Sequence, residues 1–397
     1  MRAVSSLAAA ALAATVSITT AGPAHAADDT WKVPAQARIT IKGHGYGHGH
    51  GMSQYGAEGA ARQGLTHRQI ARFYYPGTRW GTSTGRVTVL LTADTSDDLV
   101  VEARPGLTVR DTARRARART RLPDNGATHW RVAGGADGTT VVSYRDHRWH
   151  RWAELDGQGE FAAGGEPVTL VTPLGERAYR GRLRVAVTSS GERVSVNDVG
   201  LESYLKGVVP LEIPASWSPE AVRAQAVAAR TYASYERNHP QSSAYQLCDT
   251  WSCQVYGGAD AEYAASDEAV RATARVILTS GGEPAFTQFG SSSGGWTSAG
   301  SAPYLPAKKD PYDGWSGNPV HTWSTRVDDA RLEQAWPAIG NLTRIAVTAR
   351  DGNGDWGGRV RTIVLRGSTG RVVVSGDTFR AVLGLRSTWV TFRVAQR

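Results

Sequence analysis

Cysteine and lysine are almost missing from this 397-residue chain. The only thiols are Cys248 and Cys253, and none lies near the N-terminus, which excludes a lipid-modified terminal cysteine. Two thiols alone cannot complete a structural zinc site, which takes four ligands. In an oxidising compartment a close pair most often forms a disulfide. His239 is near enough in sequence to keep zinc as the alternative. Lys32, Lys42, Lys206, Lys308 and Lys309 are the only lysines, so the formal net charge of +9 rests on arginine. Beyond the N-terminal segment no run approaches the about 20 apolar residues that a membrane-spanning helix needs. No span is therefore expected in the mature chain. A basic stripe with interleaved aromatics is also missing, which argues against nucleic acid as a partner. There is no repeat and no low-complexity linker.

What is present begins with an export pattern. Arg2 precedes an Ala-rich run ending in Ala24-His25-Ala26, a small-x-small cleavage site. Residues 1–26 are expected to be removed, leaving a soluble exported chain. A basic exported protein suits an anionic partner such as a bacterial wall.

"ARITI" (37–41) predicts a strand running into "GHGYGHGHG". Ser53 is placed to cap a helix that Gly64 stops. Thr66 and Gln69 have capping-box spacing for a second helix, ended by Pro76-Gly77. From 86 to 200, short β-branched runs are separated by Gly, Asp and Pro, the texture of strands. Helical spacing returns at Ser218, a good N-cap, with Pro219 in the first position and Glu220 at the positive helix end. A helix over Ser266–Val276, the strand "AFTQF", the loop "GSSSGGWTSAG" and helices at Asp328–Trp336 and "GDTFRAVLGL" follow. The class is α+β, a β-rich body of short strands with a few helices. The expected organisation is a signal at 1–26, a Gly/His-rich block at 27–85, a β-rich part at 86–200 and a catalytic core at 201–397.

The segment "YLKGVVPLEIPASWSPEAVRAQAVAARTYA" holds the strongest candidate for chemistry. Glu212 sits between Leu211 and Ile213, with Val208, Val209 and Trp217 nearby. A carboxyl in apolar surroundings resists ionisation and becomes a proton donor. The bland alternative is a surface Glu in a loop before the helix. Glu202 and Glu220 flank it, but fit a solvated position and a helix start. Arg223 and Arg230 lie two turns apart on one helix face and are candidates to hold sugar oxygens or a carboxylate. Surface ion pairs are their alternative. Gly290-Ser291-Ser292-Ser293-Gly294 formally matches the serine-hydrolase elbow with Ser292 as nucleophile, but no His or Asp can be assigned to it. His44, His48 and His50 invite a metal, yet their run contains no carboxylate, so neither metal nor cofactor is expected.

Four blocks carry a resemblance: the Glu212 segment, "CQVYGG" with "SSSGGWT", "RGSTGRVVVSGDTFRAVLGLRSTWV", and "GHGYGHGHGMSQYGAEGAARQG". Together they resemble the SpoIID/LytB family of cell-wall proteins over nearly the whole mature chain. The resemblance implies a lytic transglycosylase that cleaves peptidoglycan between N-acetylmuramic acid and N-acetylglucosamine, leaving 1,6-anhydro ends. Glu212 then matches the catalytic acid, with Glu212-Ile213-Pro214 in place of the family's Glu-Met-Pro. Arg230 matches an active-site arginine. Ser291, Ser293 and Thr297 border the glycan cleft, and His48 and Gln54 become substrate contacts. Because the sugar's own 6-hydroxyl is the nucleophile, one carboxyl suffices where ordinary glycosidases need two. The family also includes proteins described as amidase enhancers, so a non-catalytic wall binder assisting an amidase is the rival reading. In the family the "GHG…GMSQ" block comes last, whereas here it stands at 43–61. This order resembles a circular permutation, and it predicts that 37–41 pairs with 388–394 to bring the mature ends together.

Overall fold

Strands between 86 and 200 alternate buried and exposed residues, as in Arg86–Leu90, so each sheet has one apolar face. The computed structural model describes residues 29–113, 119–135 and 139–397. The expected signal segment lies outside the described residues.

One six-stranded antiparallel sheet runs in the order 149–155, 140–145, 129–134, 99–102, 168–172, 175–179. A seven-stranded sheet has Arg86–Leu90, Arg193–Gly200 and Arg182–Val187 as successive neighbours inside its edges. Val101, Trp130, Val132 and Leu170 from the first share one core with Val89, Phe161, Leu183 and Val199 from the second. The two sheets thus bury their apolar faces in a common interior.

The helices join the same core. They are α1 (Gln54–Arg62), α2 (His67–Tyr74), α3 (Leu201–Glu212), α4 (Pro219–Asn238) and α5 (Ala264–Ala272). α4 is buried almost all round, and its alanines let α1, α2, α3 and α5 pack closely around it. Ser53 caps α1 by accepting from Gly56 N–H, and Thr66 with Gln69 forms the expected capping box on α2. Ser218 precedes α4 but does not cap it. Its N–H and hydroxyl both donate to the buried Glu58 carboxylate, at 2.8 and 3.1 Å.

A second core gathers Ile39, Ile41, Leu332, Ile345, Ile363, Phe379 and Phe392. It lies among a four-stranded sheet, a three-stranded sheet, α6 (Asp329–Ala335) and α7 (Gly376–Leu383). In the three-stranded sheet Ala37–His44 is central, between Thr322–Asp328 and Val390–Gln396. Ile39 stands opposite Val394 and Ile41 opposite Phe392. Arg397 N–H donates to Gln36 O at 3.1 Å. Residues 37–43 therefore pair with the last described strand, the pairing expected for 37–41.

Residues 201–212 form α3, which removes the surface-loop alternative for Glu212, even though Pro210 lies inside the helix. Two expectations change. Of "AFTQF" only Phe289 is in a strand, Phe289–Gly290, paired parallel with Met52–Ser53. The helix expected over Ser266–Val276 runs from Ala264 to Ala272, and Val276 opens a strand. Among the described residues no helix is long and apolar enough to cross a membrane.

Candidate active site

Glu212 ends α3, and its carboxyl reaches a cleft of about 360 Å³. His48, Tyr232, Trp251, Gln288 and Arg380 are among the other lining residues. Glu212 is the one carboxylate of that lining among the described residues. Its Oε1 accepts from Val255 N–H at 2.9 Å, and the Gln54 side chain also hydrogen-bonds it. Burial pushes the carboxyl above its ordinary value of 4.5, against the pull of those two donors. The negative end of α3 acts in the same direction as burial. The group is thus a half-buried carboxyl held in place by two partners and biased toward keeping its proton.

The Gly/His loop supplies the facing wall. Gln54 begins α1 directly after the Ser53 cap, which aims its amide at Glu212. Packing around the His48 ring, then the charges of His50, Arg359 and Arg380, push its imidazole down to about 4, although the ring keeps an exposed edge. His48 Nδ1 accepts from His50 N–H at 2.9 Å, so the neutral ring carries its proton on Nε2. Gly45, at φ +73°, lets the loop pass against Ser292, whose carbonyl a Cβ would meet at 2.6 Å. Gly47 lines the cleft itself at φ +109°, a conformation open to glycine.

Four of the expected contacts are spent elsewhere. Arg230 is 0% exposed and forms a two-pronged pair with Glu202, Nε to Oε1 at 2.9 Å and Nη2 to Oε2 at 2.7 Å. Its remaining N–H groups go to Thr273 and the carbonyls of Val270 and Val276. It ties α3, α4 and α5 together and does not face the cleft. Glu202, expected to be solvated, is its counter-ion. Arg223 pairs with Glu220 at the start of α4, where Glu220 also holds His67. Ser293 donates to Asp310 at 2.8 Å, and Thr297 to the Pro306 carbonyl at 2.8 Å, both buried. Ser291 remains half-exposed beside Gly47, while its carbonyl accepts from Tyr55 N–H.

Ser292 belongs to a buried network centred on Asp313. Ser53, Ser292, Asn318 and His321 side chains and the N–H groups of Ser293 and Gly294 all surround that carboxylate at 2.6–3.1 Å. The aspartate stands between the serine and the histidine. A serine nucleophile needs the histidine in the middle, and Ser292 is only 2% exposed. The network fastens the "SSSGG" loop to the Ser53 cap.

The histidines do not converge. His48 and His50 stack at 4.9 Å, but His44 packs between Trp356 and Trp389. Among the described residues no group of three His, Cys, Asp or Glu side chains could hold a metal ion. Cys248 and Cys253 are joined as a disulfide, which consumes the thiolates that zinc would use. His239 instead stacks on Tyr235 at 4.1 Å.

The sequence reading missed Tyr232, Trp251, Gln288 and Arg380. Trp251 lies inside the Cys248–Cys253 loop, and Arg380 lies on α7 in a block already singled out, so position alone marked them weakly.

Comparison with known proteins covers the same region. The SpoIID family profile, described as Stage II sporulation protein, matches residues 189–280, which include α3, α4 and both cysteines. The chain is 38% identical over 154 residues to an amidase enhancer of Bacillus subtilis, covering 32% of this chain and 21% of that protein. It is 31% identical over 248 residues to stage II sporulation protein D of Bacillus amyloliquefaciens, covering 56% of this chain and 66% of that protein. The match thus spans about a fifth of the first relative and just under two thirds of the second. On its motifs, its matched core and these relatives, the chain belongs to the SpoIID/LytB family.

Proposed function

We propose that this protein is a secreted peptidoglycan lytic transglycosylase in which Glu212 is both acid and base. The observation that carries the reading is the lone Glu212 carboxyl in its cleft, half-buried and biased toward the protonated form. Glu212 donates its proton to the glycosidic oxygen between N-acetylmuramic acid and N-acetylglucosamine. The C1–O bond breaks, and the glucosamine leaves with a new hydroxyl. The muramic C6 oxygen bonds to C1, and its proton passes to the Glu212 carboxylate, which restores the starting acid. No water enters, so no second carboxylate is needed to activate one. His48, Gln54 and Ser291 are the sugar contacts in this scheme, and Gln54 also orients the acid. The disulfide suits an oxidising location outside the membrane.

Digestion of purified glycan strands, with and without stem peptides, tests this by mass spectrometry. Products ending in 1,6-anhydro-muramic acid are expected from the wild type and none from Glu212→Gln. The likeness to an amidase enhancer favours a second reading, a wall binder that assists an amidase. Absence of anhydro products from both substrates, with faster hydrolysis by an added cell-wall amidase, would establish that reading instead.

A further inference from the structure

Trp251 is 87% exposed, the most exposed large apolar side chain among the described residues. It stands at the lip of the Glu212 cleft, in the loop that the Cys248–Cys253 disulfide closes with a Cα–Cα span of 5.5 Å.

Both stems of that loop are fixed without the crosslink. On one side Asp249 accepts from Thr92 N–H and Oγ1–H at 3.1 and 2.8 Å. On the other, the buried Gln254 accepts from the Tyr204 hydroxyl at 3.1 Å, and Val255 N–H donates to Glu212. The crosslink therefore adds little to Glu212 itself. What it confines is the arch 250–252, whose Cys253 N–H turns back onto Thr250 O at 3.0 Å, with Trp251 at its crown.

An indole left in water beside a polar cleft is suited to the C–H-rich face of a pyranose ring, which covers its apolar surface while the sugar hydroxyls stay wet. We propose that Trp251 is the stacking platform for a hexosamine ring of the strand next to Glu212, and that the disulfide exists to hold it there. This rests on the glycan-cleaving or glycan-binding reading of the cleft.

The test uses peptide-stripped peptidoglycan strands as the probe. Binding is measured calorimetrically in the Glu212→Gln background, and KM and kcat in the active one. Trp251→Ala is expected to weaken binding about tenfold and raise KM, with kcat largely kept. Trp251→Phe is expected to recover part of the loss. A Cys248→Ser/Cys253→Ser pair, confirmed folded by circular dichroism, is expected to weaken binding similarly, and the triple variant no further. Should the serine pair fail to fold, wild type and Trp251→Ala compared with and without reductant read the same coupling. Wild-type affinity in Trp251→Ala, or losses that simply multiply in the triple variant, would overturn the inference while leaving the glycan reading intact. Failure of the wild-type cleft to bind strands would overturn both.

Discussion

Glu212 and Asp313 are both acids withdrawn from water, yet they are driven in opposite directions. Asp313 is 0% exposed, and burial alone would raise it. The hydrogen bonds from His321, Ser53 and Ser292 outweigh burial and hold it below the usual carboxylate range. Glu212 receives only Val255 N–H and Gln54, burial prevails, and it is raised. Between these two acids, the number of donors separates the one that fastens loops from the one biased toward keeping its proton. Asp310, next to Asp313, shows that burial with a neighbouring charge can outweigh donors, since Ser293, Tyr74 and the Tyr312 N–H all donate to it. Burial and the neighbouring Asp313 charge push it up to about 6.

Breaking either side of this contrast should have distinct effects. The largest is expected for Glu212→Gln, a loss of about 10²–10⁴-fold in turnover, the usual span for removing a general acid or base. Its thermal midpoint should stay near that of the wild type. Asp313→Ala should do the reverse, removing a buried acceptor from several donors and costing about 3–5 kcal/mol in denaturant unfolding. Arg230→Met is expected to destabilise by about 2–3 kcal/mol, the penalty for orphaned buried partners, tempered because Glu202 keeps access to water. Its KM should not change, whereas a substrate-binding arginine would raise it. Asp310 binds its proton more tightly folded than unfolded, so stability should fall as pH rises from about 4 to about 6. Asp310→Asn should flatten that slope in thermal melts across the same window. Smallest is Arg223→Ala, expected within about 0.5 kcal/mol and without effect on KM, as for a surface pair.

Local chemistry made much of the fold legible. Thr66 with Gln69, the alanine-rich stretch after Ser218 and the alternation in 86–200 announced their elements. The pairing of Ile39 and Ile41 with the last strand followed from motif order. α3 was hidden because Gly207, Val208, Val209 and Pro210 are poor helix formers, and burial of Leu205, Val208 and Val209 overrides that preference. That Glu212, His48 and Gln54 would come together was readable. The surroundings of Arg230, Ser293 and Thr297 were not, because a polar residue beside a candidate motif looks the same whether it faces the cleft or a buried partner. Only the packing of α3 on α4 and α5 shows that Glu202 claims Arg230. Tyr232, Trp251 and Arg380 reach the cleft from three separate elements, a convergence that no local pattern encodes.

Burial makes Glu212 hold its proton more tightly than an ordinary glutamate. Carbon-13 NMR titration of its carboxyl, assigned by difference from Glu212→Gln, measures this directly. A midpoint clearly above 4.5 is expected, with kcat/KM falling as pH rises through that same midpoint. A midpoint at or below 4.5, or a rate profile indifferent to it, would rule out Glu212 as the acid that protonates the glycosidic oxygen.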